Sequence, residues 1–238
     1  MKAHMLFPLM LALPAPVLAG SFTPPAGCTT FLTVQAKGCR VSNHYTCQAD
    51  APGDQWRADF DLDGIFFMSR INAEAEWVES YNFNPTVKQW LEPGATDPAS
   101  FSGLLATGLD TFAFHLSDET GAQSEVRGFD RMTGRSVTID GVALQETEFE
   151  FSETAPDGTV LNQSRGHEYV SPDWRLFFAG PSEWNGGDGT FVPYDGSPIQ
   201  FILPGEGGFA STQPLFDCDP MMTQAEPGDA HLVPAVSK

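Results

Sequence analysis

Apolar and polar residues alternate with a period of two over much of the chain, in short segments separated by turn sequences. Residues 112–117 alternate phenylalanine or leucine with alanine, histidine or serine, and residues 148–151 alternate glutamate with phenylalanine. Such alternation predicts strands with one buried face. Turn dipeptides recur between these segments, most clearly Asp140-Gly141, which suits a type I′ hairpin. The pattern predicts an all-β fold: a strongly curved antiparallel meander sheet, forming an open or half barrel or a sandwich.

One short segment has the spacing of a helix rather than a strand. Asp97 can cap its start, Gly108 can end it, and Phe101 and Leu105 share one face. We expect this single short helix to cover one end of the sheet. Residues 84–91 fit either a helix or a strand, and we interpret them as a strand because their neighbours suit a hairpin.

The first nineteen residues have the pattern of a secretory signal peptide. Lys2 precedes an apolar run, which ends in a cleavage site at residues 17–19. Cleavage after Ala19 leaves one all-β domain over 20–223, and the polar segment 224–238 is interpreted as a flexible C-terminal tail. These features predict a secreted or periplasmic protein. We expect no membrane span in the mature chain, because no later apolar run is long enough.

The chain has four cysteines, and an even number predicts two disulfides in an oxidising compartment. If a two-residue hairpin turns at Lys37-Gly38, Cys28 lies opposite Cys47, which leaves Cys39 to pair with Cys218. In that register Cys28 and Cys47 form a hydrogen-bonded pair with Cα atoms about 5.5 Å apart, a distance that a disulfide can span. The two other connectivities stay open.

A formal net charge of −19, from 31 acidic and 12 basic residues, disfavours some partners. Such a surface repels phosphates and anionic lipid headgroups, so we expect no nucleic acid partner and no electrostatic docking on membranes. Solubility and the attraction of cations fit this charge better.

Residues 59–64 spell D-x-D-x-D-G, the first half of a calcium-binding loop. The three candidate metal ligands are Asp59, Asp61 and Asp63. The twelfth position, where such a loop needs a bidentate glutamate, is Arg70. We therefore favour a hairpin with these aspartates in solvent and Phe60 and Leu62 buried, and expect no cofactor. A calcium-stabilised interaction module is an alternative.

Four polar side chains share one face of a predicted strand. They are Gln163, Arg165, His167 and Tyr169. This row can line a ligand cavity, or supply a general base and an anion-holding arginine, with Arg175 of the next strand pairing with it. The chain lacks the G-x-S-x-G and H-E-x-x-H motifs, so a hydrolase is the alternative and a solvent-facing row is the plainer interpretation. We interpret His44 and His115 as surface residues.

Aromatic residues are plentiful, with 19 Phe, 5 Trp and 4 Tyr. They indicate either an apolar pocket inside the curved sheet or an ordinary aromatic core. The leading hypothesis is a non-catalytic binding protein that holds a hydrophobic small molecule or an envelope-derived lipid. We expect that ligand between the sheet and the helix, near Phe101 and Leu105, with the polar row at 163–169 contributing contacts. The sequence specifies no oligomeric state.

Overall fold

The computed structural model describes residues 20–219, and these are almost entirely β. The predicted signal peptide 1–19 and the predicted tail 224–238 lie outside the described residues. The elements, in chain order, are β1 (Cys28–Ala36), β2 (Arg40–Cys47), β3 (Gln55–Asp61), β4 (Gly64–Ile71), β5 (Trp77–Phe83), β6 (Thr86–Leu91), α1 (Phe101–Thr107), β7 (Leu109–Asp118), β8 (Gln123–Ile139), β9 (Val142–Thr154), β10 (Val160–Ser171), β11 (Leu176–Asn185), β12 (Val192–Asp195) and β13 (Pro198–Ile202).

The thirteen strands form one antiparallel sheet in the order β12-β11-β10-β9-β8-β7-β6-β5-β4-β3-β2-β1-β13. Each of β1 to β12 pairs with its neighbours in sequence, and β13 returns to pair with β1. Within residues 20–219, β12 and β13 are the two edge strands of the sheet and do not pair with each other, so the sheet is not closed into a barrel. The predicted all-β antiparallel meander with one short helix is confirmed.

The sheet curls until strands near its opposite ends touch. Phe178 of β11 and Phe201 of β13 pack with their ring centroids 5.1 Å apart. The main hydrophobic cluster fills this curl, joining Leu32 of β1, Val170 of β10 and Phe101 of α1. The side of the sheet that faces this cluster is called the inner face below.

The predicted helix is present, but it begins later than expected. Ser100, not Asp97, is the N-cap, and its hydroxyl accepts a hydrogen bond from the Gly103 N–H at 3.0 Å. The Asp97 carboxylate instead accepts a hydrogen bond from Thr111 Oγ1 at 2.7 Å. Gly108 ends the helix as predicted, with φ at 81°, a conformation that glycine adopts without strain.

Both predicted disulfides, Cys28–Cys47 and Cys39–Cys218, are present. The hairpin turn has three residues rather than two, because Ala36 pairs with Arg40. A bulge between Thr30 and Leu32 offsets that extra residue, so Cys28 still lies opposite Cys47. Their Cα atoms are 3.9 Å apart, closer than predicted. Two disulfides indicate an oxidising, extracellular type of environment.

The outer side of β2 and β3 is also covered. Val41, Tyr45, Ala58 and Phe60 form a separate hydrophobic cluster there, and Phe22 of the N-terminal segment packs against it. Since the inner side faces the curl, β3 is buried on both faces from residue 57 to residue 60.

Candidate functional site

A cavity of about 80 Å³ lies on the inner face, where the curl brings β4, β5 and β6 opposite β9 and β10. Aromatic rings from both sides meet there: Trp77 of β5 and Phe151 of β9 pack edge to face with centroids 5.7 Å apart. The other apolar residues of the wall are Phe67, Ile71, Trp90 and Leu116. The cavity is partly open to solvent.

Strand register places a set of polar side chains in the same cavity. Ser69 of β4 pairs with Ser80 of β5, and Ser80 pairs with Gln89 of β6. On the opposite side, Glu153 of β9 pairs with Asn162 of β10. Because side chains alternate between the faces of a strand, all five point to the inner face and line the cavity.

Two oxygen atoms in the cavity are left without a hydrogen bond. Asn162 is only 8% exposed, and its Oδ1 is buried with no partner. The Ser124 hydroxyl and the Gln89 amide both donate to Oε1 of Glu153, at 2.6 and 3.5 Å, while Oε2 accepts from no residue between 20 and 219. For the buried Asn162 oxygen the missing partner costs about 1–3 kcal/mol, whereas Glu153 is only partly buried and water can hydrate its Oε2. The site therefore presents acceptors that suit a hydrogen-bond donor.

The cation at the rim of the cavity is already paired. The Arg70 guanidinium lies 2.8 Å from Asp54 and 2.8 Å from Glu79, and it stacks on Trp56. Burial opposes the charge of Arg70, but the charges and hydrogen bond of Glu79, followed by Asp54 and Asp50, outweigh burial and raise its pKa.

The predicted polar row lies on the opposite side of the sheet from the cavity. Arg165 forms an ion pair with Glu183 at 2.5 Å. His167 is 41% exposed, and its Nδ1 lies 3.5 Å from Oε1 of Glu146, which also pairs with Arg135. Gln163 and Tyr169 follow the same alternation, although Tyr169 also packs against the main hydrophobic cluster beside Phe178. None of the four side chains lines the cavity.

Arg175 does not pair with this row, contrary to the expectation. It lies in the turn before β11, where it donates hydrogen bonds to Ala73 O at 2.9 Å and to Glu74 and Ser102 at 3.0 Å. Its guanidinium also stacks on the ring of Phe101. Arg175 therefore joins α1 to the loop between β4 and β5.

The helix residues predicted to contact a ligand lie away from the cavity. Phe101 is buried against Phe177, with ring centroids 5.3 Å apart, and Leu105 is 37% exposed. Neither residue lines the cavity.

The three aspartates of the D-x-D-x-D-G segment are separated by the fold. Asp59 is fully buried, 3.2 Å from Arg57, and Leu62 is 58% exposed, so the expectation for both residues is wrong. Asp61 is held in the turn, where its Oδ1 accepts hydrogen bonds from the N–H groups of Asp63 and Gly64. Among residues 20–219, no group of three or more His, Cys, Asp or Glu side chains is placed to hold a metal ion.

A buried ionic cluster, missed by sequence reasoning, lies on the inner face of β2 and β3. His44 pairs with Arg57 across these strands and is 2% exposed, so its interpretation as a surface residue is wrong, whereas His115 is exposed as expected. Burial, followed by the charges of Arg57 and Arg40, holds the pKa of His44 well below its ordinary value. His44 is therefore neutral in the folded protein at neutral pH.

No family model matches this chain, and comparison with curated proteins and with solved structures finds no match either. Within 20–219, no helix has the length and apolar character that crossing a bilayer requires.

Proposed function

We propose that this chain is a secreted or periplasmic, non-catalytic binding protein that holds a small ligand in the inner-face cavity. The observation that carries the proposal is the buried Oδ1 of Asn162, which has no hydrogen-bond partner and belongs to a residue that lines a cavity walled by Trp77 and Phe151. A ligand that donates a hydrogen bond to this oxygen would remove its desolvation penalty. Ring stacking and apolar contact would hold the rest of the ligand.

The size of the cavity limits what it can enclose. At roughly 10–15 Å³ for each water-sized position, a volume of about 80 Å³ corresponds to five to eight such positions. That space suits one ring or a short branched group. A lipid or other envelope-derived molecule would place only one end in the cavity and leave the remainder outside.

The chemistry of the lining supports binding rather than catalysis. Ser69 and Ser80 are potential nucleophiles, but the described part of the chain places no histidine or cysteine in the cavity wall to activate or replace them. His44 lines a smaller cavity that Ser69 also reaches, but neither ring nitrogen of His44 has a hydrogen-bond partner. The alternative hydrolase site at His167 lies on the exposed outer face, where no enclosing wall would exclude water from a substrate.

Native mass spectrometry of the protein purified from its own compartment tests this function. We expect a bound small molecule on the wild-type chain. The same molecule should be absent from a Ser80→Phe variant, whose new ring fills the cavity, and present on a Ser136→Phe control, which changes an exposed position of β8. Equal occupancy of the two variants would show that the molecule binds elsewhere and would contradict the proposal.

A further inference from the structure

We infer that the group bound in this cavity is a small organic cation, a primary or secondary ammonium carried on a short apolar body. The inference rests on the proposed function, because it names the chemistry of a ligand for the same site. Three independent features of the wall support it: the pair of free acceptors, the aromatic rings, and the balance of charge.

The two free acceptors are neighbours. Glu153 and Asn162 are directly paired across β9 and β10, so Oε2 of the first and Oδ1 of the second belong to adjacent side chains on the same face. An ammonium has two or three N–H donors and can satisfy both oxygens at once, whereas a hydroxyl donates one proton only. A hydrogen bond between ions is also about twice as strong as one between neutral groups.

The rings add an attraction that is specific for cations. Trp77 and Phe151 line the cavity, and the electron-rich face of an aromatic ring attracts a positive charge within about 6 Å of its centre. The ring of Phe67 is already covered by the Arg57 guanidinium, 5.4 Å from the ring centroid. The same rings cover the apolar body that carries the ammonium. A carboxylate next to aromatic rings is thus complementary to an amine in both charge and shape.

The charge balance disfavours other ligands. Arg70 is the one basic residue that the described chain contributes to the lining, and its guanidinium is already held by Asp54 and Glu79. An anion would meet the Glu153 carboxylate with no uncommitted cation to compensate. The net charge of −19 also raises the local concentration of cations around the protein.

Isothermal titration of the purified, extensively dialysed protein with three matched probes tests the inference. The probes are benzylamine, benzyl alcohol and benzoate, which share a ring and differ in charge. We expect benzylamine to bind at least about tenfold more tightly than benzyl alcohol, and benzoate not to bind. If benzyl alcohol binds as tightly as benzylamine, or if benzoate binds, the cavity is a binding site but not one for cations, so this inference fails and the proposed function stands. If none of the probes binds and the purified chain carries no ligand, both fail.

Two variants test whether Glu153 and Asn162 cause the preference for benzylamine. Glu153→Gln keeps the shape of the side chain and one acceptor but removes the charge. It should weaken the affinity for benzylamine by about tenfold and leave the affinity for benzyl alcohol within about twofold of wild type. The matched control is Glu150→Gln, which removes the same charge from the exposed outer face of β9 and should change neither affinity. Asn162→Leu, which removes the second acceptor, should also weaken benzylamine. An equal loss in the Glu150→Gln control would mean that the amine responds only to overall charge and would overturn the inference.

Discussion

Nε of Arg57 and Oδ2 of Asp59 lie 3.2 Å apart on the inner face of β3, and the aspartate has no exposed surface. Breaking a buried ion pair costs up to about 3–5 kcal/mol, and after Asp59 is removed the charge of buried Glu168 would still partly compensate Arg57. We therefore expect Asp59→Ala to lower the free energy of unfolding by that amount, measured by urea denaturation. The control is Asp63→Ala at the exposed turn, which should stay within about 0.5 kcal/mol of wild type. Equal small effects in both variants would show that Asp59 is not buried with Arg57.

His44 makes stability depend on pH. Because its pKa in the folded protein lies well below the ordinary value of 6.5, the unfolded chain binds a proton that the folded chain does not as the pH falls below 6.5. The stability that neutral His44 provides is therefore complete above pH 6.5 and decreases on acidification toward the folded-state pKa. The slope contributed by one such group is at most about 1.4 kcal/mol per pH unit.

Urea denaturation at a series of pH values checks this dependence. We expect His44→Gln to flatten the dependence just below pH 6.5 relative to wild type. An unchanged slope in His44→Gln would assign the dependence to other groups.

The two disulfides should differ in their contribution to stability. Cys28–Cys47 closes a loop with a sequence separation of 19, and Cys39–Cys218 closes one of 179. On the chain-entropy account, the longer loop restricts the unfolded state more, so losing it should cost roughly 5 kcal/mol, against about 3 kcal/mol for the shorter loop. Urea denaturation of the two double cysteine-to-serine variants measures the difference. A larger loss for the Cys28/Cys47 variant would contradict this order.

Gly128 of β8 is a site where close packing excludes a side chain. A Cβ at this position would overlap the backbone oxygen of Glu150 and lie 2.6 Å from Phe112 Cζ and 2.7 Å from Phe151 Cβ, so Gly128→Ala requires the β9 backbone and both phenylalanines to move. Overpacking of this kind costs about 1–3 kcal/mol. Thermal denaturation should show a lowered midpoint for Gly128→Ala but not for Gly207→Ala, since no atom lies within 4 Å of a Cβ at 207. An unchanged midpoint for Gly128→Ala would mean that the residues around Phe151 can rearrange at little cost in stability.

Local patterns predicted the strands well because alternation and turn chemistry act over a few residues. The Cys28–Cys47 pairing was predicted from one turn, and it is present even though a three-residue turn and a bulge replace the expected regular hairpin. Gly108 was predicted correctly as the end of the helix. These features depend on residues that are close in sequence, so the local sequence pattern is enough to predict them.

The candidate site was harder to predict, since it depends on which face of each strand lies inside the curl. The alternation that groups 163–169 is correct, but the inner face of β10 is the one that carries Asn162. Phe149 and Phe151 mark the inner face of β9. Asn162 can be assigned to the same face only when the register between β9 and β10 is known. The prediction for Asp59 was wrong for a related reason. Phe60 is buried on the outer face, where Phe22 covers it, so Asp59 lies on the inner face, and Phe22 is distant from β3 in sequence.

The pairing of β13 with β1 also has a consequence for biogenesis. During synthesis β1 precedes β13 by more than 160 residues, so the backbone donors and acceptors on this edge of β1 stay unprotected until Pro198–Ile202 arrives. An unprotected strand edge can recruit a strand from another molecule. Truncation within the last strand would therefore favour aggregation of otherwise folded chains over simple loss of stability.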